Sequence, residues 1–309
     1  IIMAVLRLGT LINKVPHYVI EGFTFGIAVI IALQQLPMAL GIKKGSGDRT
    51  LITAFYTAKE ALNNGFNAYA LLIVAITLLF KFNFQRILHL LKIKTYVPAS
   101  FGALLFGTTV AKILNLKVLT IGEIPRNVAR FTQPVFENPT SLLWPALMIA
   151  LLAAIESLLS ARVADSLAHL PRERRLEPDQ ELIGQGLATA VASIFGGQPA
   201  TGAIARTSVN VRAHAHSRLA AIFHSLVLLF IVLVAAPLFS QIPAAAIAGV
   251  LIGTSVRILN PANLRELFRT TKGEITVYVA TALATIAIDL IWGIALGLAV
   301  HFVVQKASR

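Results

Sequence analysis

Apolar residues come in long blocks at about 17–41, 66–81, 97–114, 141–168, 181–196, 217–236, 244–258, 274–289 and 290–304, with Lys and Arg gathered between them. Blocks of this kind predict helices that cross a bilayer. The first carries Gly22, Gly26 and Ala28 as small packing positions and Pro37 near its end. Two stretches differ. Residues 48–65 and 261–272 interleave charged residues such as Lys59, Glu60, Arg265 and Glu266 with apolar ones. That mixture predicts helices lying in the membrane interface. Their likeness hints at an internal symmetry. Residues 115–139, with Pro125, Pro134 and Pro139, predict a long irregular loop. The chain opens on Ile1-Ile2-Met3-Ala4-Val5-Leu6. This reads as the tail of a helix that began earlier, so the sequence is expected to be a fragment.

The block at 181–196 is followed by a break. Gly196-Gly197 stops the helix, and Pro199 lacks an N–H and blocks its continuation. Thr201 then offers an N-cap for a second, short helix that ends near Arg212. About ten residues at 1.5 Å each span roughly 15 Å, half a bilayer core. The expectation is a broken half-helix at 197–212. Its free N–H groups, at residues 202–205, and its positive end make an anion site. Arg206 adds a cation one turn in, and a charge inside an apolar segment is costly and usually functional. The plainer alternative is a Gly-Pro turn outside the membrane.

Composition narrows the class. The chain has 309 residues, 56% hydrophobic and 13% charged, with a mean hydropathy of +0.76. This is a polytopic helical membrane protein, all-α. The net charge is +13, yet the basic residues form no patch with interleaved aromatics, which speaks against nucleic acid as a partner. They lie in short loops instead. With the loop at 170–180 placed in the cytoplasm, basic residues favour that side roughly two to one, counting Lys81–Lys94 as a loop, and the C-terminus falls inside. Cysteine is absent, so neither disulfides nor thiol chemistry enters. No P-loop pattern, nucleophile–base arrangement or third metal ligand near His214 and His216 is apparent. No cofactor is expected, and no arrangement for enzyme chemistry is seen.

Glu156 sits mid-span, with Ser160 four residues on along the same helix face. Ala153, Ser157 and Ala161 form one small-residue stripe; Gly184, Ala188, Ala192 and Gly196 form another. Such stripes let helices approach closely. The two spans are therefore expected to pack together and bring Glu156 near the break. There Glu156 can take up and release a proton, or hold Na⁺ with Ser160. The structural alternative pairs it with Arg162 or Arg206. Asp165 reads as structural or vestibular, and Asp289 as interfacial.

Four stretches resemble one family. They are Pro16-His17-Tyr18-Val19-Ile20-Glu21-Gly22-Phe23-Thr24-Phe25-Gly26-Ile27-Ala28, Ile121-Gly122-Glu123-Ile124-Pro125, Glu156-Ser157-Leu158-Leu159-Ser160-Ala161 with Val163-Ala164-Asp165, and Glu181-Leu182-Ile183-Gly184-Gln185-Gly186 with Gly202-Ala203-Ile204-Ala205-Arg206-Thr207 and Asn210-Val211. Together they resemble the SulP (sulfate permease) anion transporters. The resemblance implies a seven-plus-seven inverted repeat with a core domain moving against a gate domain. It implies that residues 1–140 end the first repeat, 141–236 are second-repeat core spans with the half-helix, and 237–309 are second-repeat gate spans. The first four spans and the family's STAS domain would then be missing. Ala203, Ile204 and Ala205 would offer backbone N–H groups to the anion, Arg206 positive potential, and Glu156 the coupling carboxylate. Arg162 and Asn127 depart from the family's pattern.

The function so implied is secondary transport of a small anion (sulfate, bicarbonate, chloride or a dicarboxylate) by an elevator motion, as proton symport or anion exchange. Glu at 156, where Na⁺-using relatives carry Asp, tilts the expectation towards H⁺. The expected setting is a homodimer in the plasma (inner) membrane. The alternatives are Na⁺-coupled bicarbonate uptake and a non-transporting motor or scaffold on the same fold.

Overall fold

The computed structural model describes residues 1–10, 15–92, 97–125, 131–133, 138–168, 171, 176–259 and 270–307. Its helices are α1 (Ile2–Val5), α2 (His17–Gln34), α3 (Leu36–Leu40), α4 (Thr50–Asn64), α5 (Ala68–Leu90), α6 (Ala99–Ile113), α7 (Pro139–Ala168), α8 (Pro178–Ile194), α9 (Ile204–Arg212), α10 (Leu219–Phe230), α11 (Ala236–Phe239), α12 (Ala244–Ile258), α13 (Lys272–Ala287) and α14 (Leu290–Ala307). Among the described residues there is no strand, only an isolated antiparallel bridge between Thr120 and Pro243. Five helical segments, His17–Leu40, Ala68–Leu90, Pro139–Ala168, Leu219–Phe239 and Leu290–Ala307, are long and apolar enough to cross a membrane. The expected interfacial stretch 261–272 and the basic loop 172–175 lie largely or wholly outside the described residues, and so does Asn127.

The chain divides into two compact units. The first comprises Ile1–Val15 with Pro125–Leu233, the second Pro16–Ile124 with Val234–Arg309.

The second unit is held by glycines facing threonines. Gly22 and Gly26 of α2 meet Thr281 and Thr285 of α13, and Gly297 and Gly293 of α14 meet the same two threonines. A Cβ on Gly26 would lie 2.6 Å from Thr285 Cβ, so only glycine lets the helices come this close. Both threonine hydroxyls donate to carbonyls of their own helix, Val277 O and Thr281 O, at 2.7 Å. They therefore cost nothing in the apolar interior. A second set is built alike. Gly249 and Gly253 of α12 face Thr77 and Lys81 of α5, and Gly107 of α6 also faces Thr77. An apolar cluster including Ala70, Ile73, Ala245 and Ala246 packs beside this second set.

Local chemistry sets the helix ends. Pro37 ends the α2 ladder, and the span expected at 17–41 breaks at Gln35 into α2 and α3. Asn67 caps α5 by accepting from Tyr69 N at 3.0 Å and Ala70 N at 3.3 Å. Asp289 caps α14, accepting from Ile291 N and Trp292 N at 2.8 and 2.9 Å.

α5 does not stop at 81 but runs to Leu90, and Lys81 is not a loop cation. It is 3% exposed, and its Nζ donates to Val250 O and Thr254 Oγ1 of α12, each at 2.6 Å. Gly253 makes the room, since a Cβ there would lie 3.0 Å from Lys81 Cδ.

In the first unit α7 packs against α8 and α9, and α1 packs against α8. Gly9 N donates to Asp179 Oδ1 at 3.0 Å, tying the first residues to α8. The span expected at 217–236 is α10 followed by a π-helical stretch, Ile231–Ala235, and α11.

Candidate functional site

α8 ends where the sequence puts its stop. Gly196 takes the left-handed conformation, φ +75°. Its N–H donates to Ser193 O at 3.0 Å, and Gly197 N donates to Ala192 O at 2.8 Å. These two bonds satisfy the last carbonyls of the helix. The chain then runs without regular structure to Ala203, and α9 begins at Ile204.

Thr201 is not the N-cap that the sequence suggested. Its hydroxyl donates to Ala153 O of α7 at 3.2 Å, so it is committed to another helix. Ala203 is the capping residue and supplies no side-chain bond. The free N–H groups therefore shift from 202–205 to the first turn of α9, at Ile204, Ala205 and Arg206. Thr207 N opens the helical ladder by donating to Ala203 O at 2.9 Å.

The break hangs on about two turns of α7, from Ala153 to Ser160. Besides the Thr201–Ala153 bond, Ser160 Oγ and Thr207 Oγ1 lie 2.6 Å apart. A Cβ on Gly202 would lie 3.3 Å from Ser160 Cβ, so glycine allows this approach. Ser160 is thus brought to α9. Glu156 shares its face of α7, one turn before it. Glu156 is half-buried and makes no hydrogen bond or ion pair among the described residues. The structural pairing of Glu156 with Arg206 is therefore absent. Arg206 is exposed, its Nη2 making a long 3.5 Å contact with Thr201 O. The guanidinium so folds back towards the break. Asp165 accepts from Leu176 N at 2.7 Å, a structural tie.

The stripe of Gly184, Ala188, Ala192 and Gly196 does not pack on α7. Gly184, Ala188 and Gly196 are exposed. α8 turns a polar face to the site instead. Ser157 Oγ donates to Glu181 Oε1 at 2.5 Å, and Gln185 Nε2 donates to Ala200 O. The buried Ser157 hydroxyl so finds its partner on α8. Sequence reasoning assigned no role to Glu181, Gln185 or Thr207. The readable signal was two long polar residues, Glu181 and Gln185, four apart and so on one face of α8.

The profile of the sulfate permease family matches residues 1–281. The chain belongs to the sulfate permease family. It is 34% identical to "Putative sulfate transporter YvdB" of Bacillus subtilis over 98% of this chain and 56% of that protein. It is 30% identical to the bicarbonate transporter BicA of Picosynechococcus over 96% of this chain and 51% of that one. The chain thus spans about half the length of these relatives. The structure of the transmembrane domain of a cyanobacterial BicA matches with a TM-score of 0.76 and 26% identity, over 94% of this chain and 72% of that one. SLC26A9 matches in fold with a TM-score of 0.79 at 18% identity, over 99% of this chain and 50% of that one. The sulfate permease fold is therefore that of an integral membrane protein built of helices.

Proposed function

We infer that this chain is the site-bearing part of a secondary transporter for a small anion. The observation that carries the reading is the first turn of α9. Its free N–H groups and the folded-back Arg206 hang from the α7 turn that bears Glu156 and Ser160. Backbone N–H groups at Ala203, Ile204 and Ala205, with that of Arg206, bind the anion as hydrogen-bond donors, and the guanidinium adds attraction. Glu156, half-buried and without a partner among the described residues, is the coupling group: it takes a proton with the anion and gives it up on the other side. The first unit is the moving core in an elevator cycle, and the second unit is the gate. The protein works as a homodimer in the plasma membrane with its C-terminus in the cytoplasm.

Sulfate and bicarbonate are the first substrates to test, since the relatives are named for them; chloride and dicarboxylates follow. The test is uptake of labelled sulfate, bicarbonate and fumarate into liposomes under an inward proton gradient. Arg206→Ala is expected to raise the anion KM about ten- to a hundredfold, the loss of one or two charge-assisted bonds. Unchanged affinity in a folded variant refutes the site. Glu156→Gln is expected to make uptake indifferent to the pH gradient. The close oxygens of Ser160 and Thr207 favour one second reading, Na⁺ coupling. Uptake that follows a sodium gradient and ignores a proton gradient decides for it. Absence of net flux of every anion decides for the motor or scaffold reading.

A further inference from the structure

We propose that Glu181 and Gln185 of α8 are positioning residues, a two-point clamp that fixes where the first turn of α9 presents its N–H groups. This rests on the reading of that turn as the anion site.

α9 has nine residues and no side-chain cap. Helices this short do not hold themselves in place, so its position is set by bonds from outside. Two come from α7, Thr201 to Ala153 and Ser160 to Thr207. The other two come from α8. Gln185 holds the carbonyl of Ala200, just before the stretch that leads into α9. Glu181 holds Ser157, which is 1% exposed. Ser157 also lies against Gly202, where a Cβ would be 3.8 Å from its Cα. Glu181 and Gln185 stand four apart and so share one helix face. Leu182 beside them is 4% exposed and seats that face in the unit. One face of α8 therefore grips both sides of the junction, the α7 turn through Ser157 and the break through Ala200. The bond asks of residue 181 an acceptor oxygen, not a charge.

The test uses the full chain in lipid nanodiscs and liposomes with Glu181→Ala, Glu181→Gln, Ser157→Ala and Gln185→Leu. Amide hydrogen exchange over 200–207 is expected to quicken at least tenfold in the Ala and Leu variants, with α2 and α5 unchanged. Glu181→Gln keeps an acceptor and should exchange like the parent. In transport, the anion KM should rise while turnover at saturating anion stays, and the pair Glu181→Ala with Ser157→Ala should be no worse than either alone. Unaltered exchange in both Glu181→Ala and Gln185→Leu overturns the clamp. Glu181→Gln behaving like Glu181→Ala also overturns it, because charge would then be the property used. If Glu181→Ala fails to fold, Ser157→Ala removes the same bond from the other side. Quickened exchange in a protein that moves none of the tested anions supports the clamp and overturns the anion reading alone.

Discussion

Lys81 is the residue whose environment departs furthest from its chemistry. Its ammonium is buried between helices of the second unit, and its partners are a carbonyl and a hydroxyl. Burying a charge among neutral partners costs more than the bonds return. Thr254 Oγ1 already donates to Val250 O at 2.8 Å, so the acceptors stay satisfied without the lysine. Lys81→Met, similar in length, is therefore expected to leave the thermal midpoint unchanged or raise it by the equivalent of about 1 kcal/mol. Lys81→Ala, which leaves a void, should lower it by about 2 kcal/mol or more. A fall with Met as large as that with Ala, read by thermal unfolding in detergent, would show that the charge itself is needed for the fold. The sequence misplaced Lys81 because a lysine at the edge of an apolar block reads as a loop. The glycine that makes room for it stands on another helix. Thr201 was misread for the same reason. Cap preference is a local rule, and its hydroxyl was claimed by Ala153, 48 positions away. The helical spacing that set Ser160 one turn from Glu156 was legible, but its reach to Thr207 of α9 was not, because that partner is 47 positions away.

Among the elements, the spans were legible because each is a long apolar block, and their ends moved where a distant contact extended them. α5 is the example. The faces were less legible. Small residues on α8 suggested the α7 contact, whereas Glu181 bonds α7 through Ser157 and Gln185 bonds the break at Ala200. In the second unit the small residues do face partners, and the contact geometry gives a quantitative expectation. Gly26→Val forces a side chain into Thr285 and should destabilise by about 1–3 kcal/mol. Thr285→Val keeps the shape and removes a hydroxyl bonded only within its own helix, so it should cost less than about 1.5 kcal/mol. Chemical unfolding of the two variants side by side checks this. If Thr285→Val proves the more damaging, the close approach of α2 and α13 is not what holds them.

For the whole molecule, the excess of basic residues on one side predicts which ends face the cytoplasm. The chain has no cysteine, so single cysteines report their side without background. Lys306→Cys is expected to react with an impermeant maleimide only after the membrane is opened, and Lys117→Cys in intact cells. The reverse pattern inverts the orientation assigned from charge. The second unit, finally, uses one contact pattern twice. Its two glycine–threonine sets pair position for position: Gly22 answers to Gly249, Gly26 to Gly253, Thr281 to Thr77 and Thr285 to Lys81. Lys81 is the one member of these pairs that is neither glycine nor threonine. A second-site suppressor of damage at one member of a pair should therefore be sought first at its counterpart, far away in sequence and alike in role.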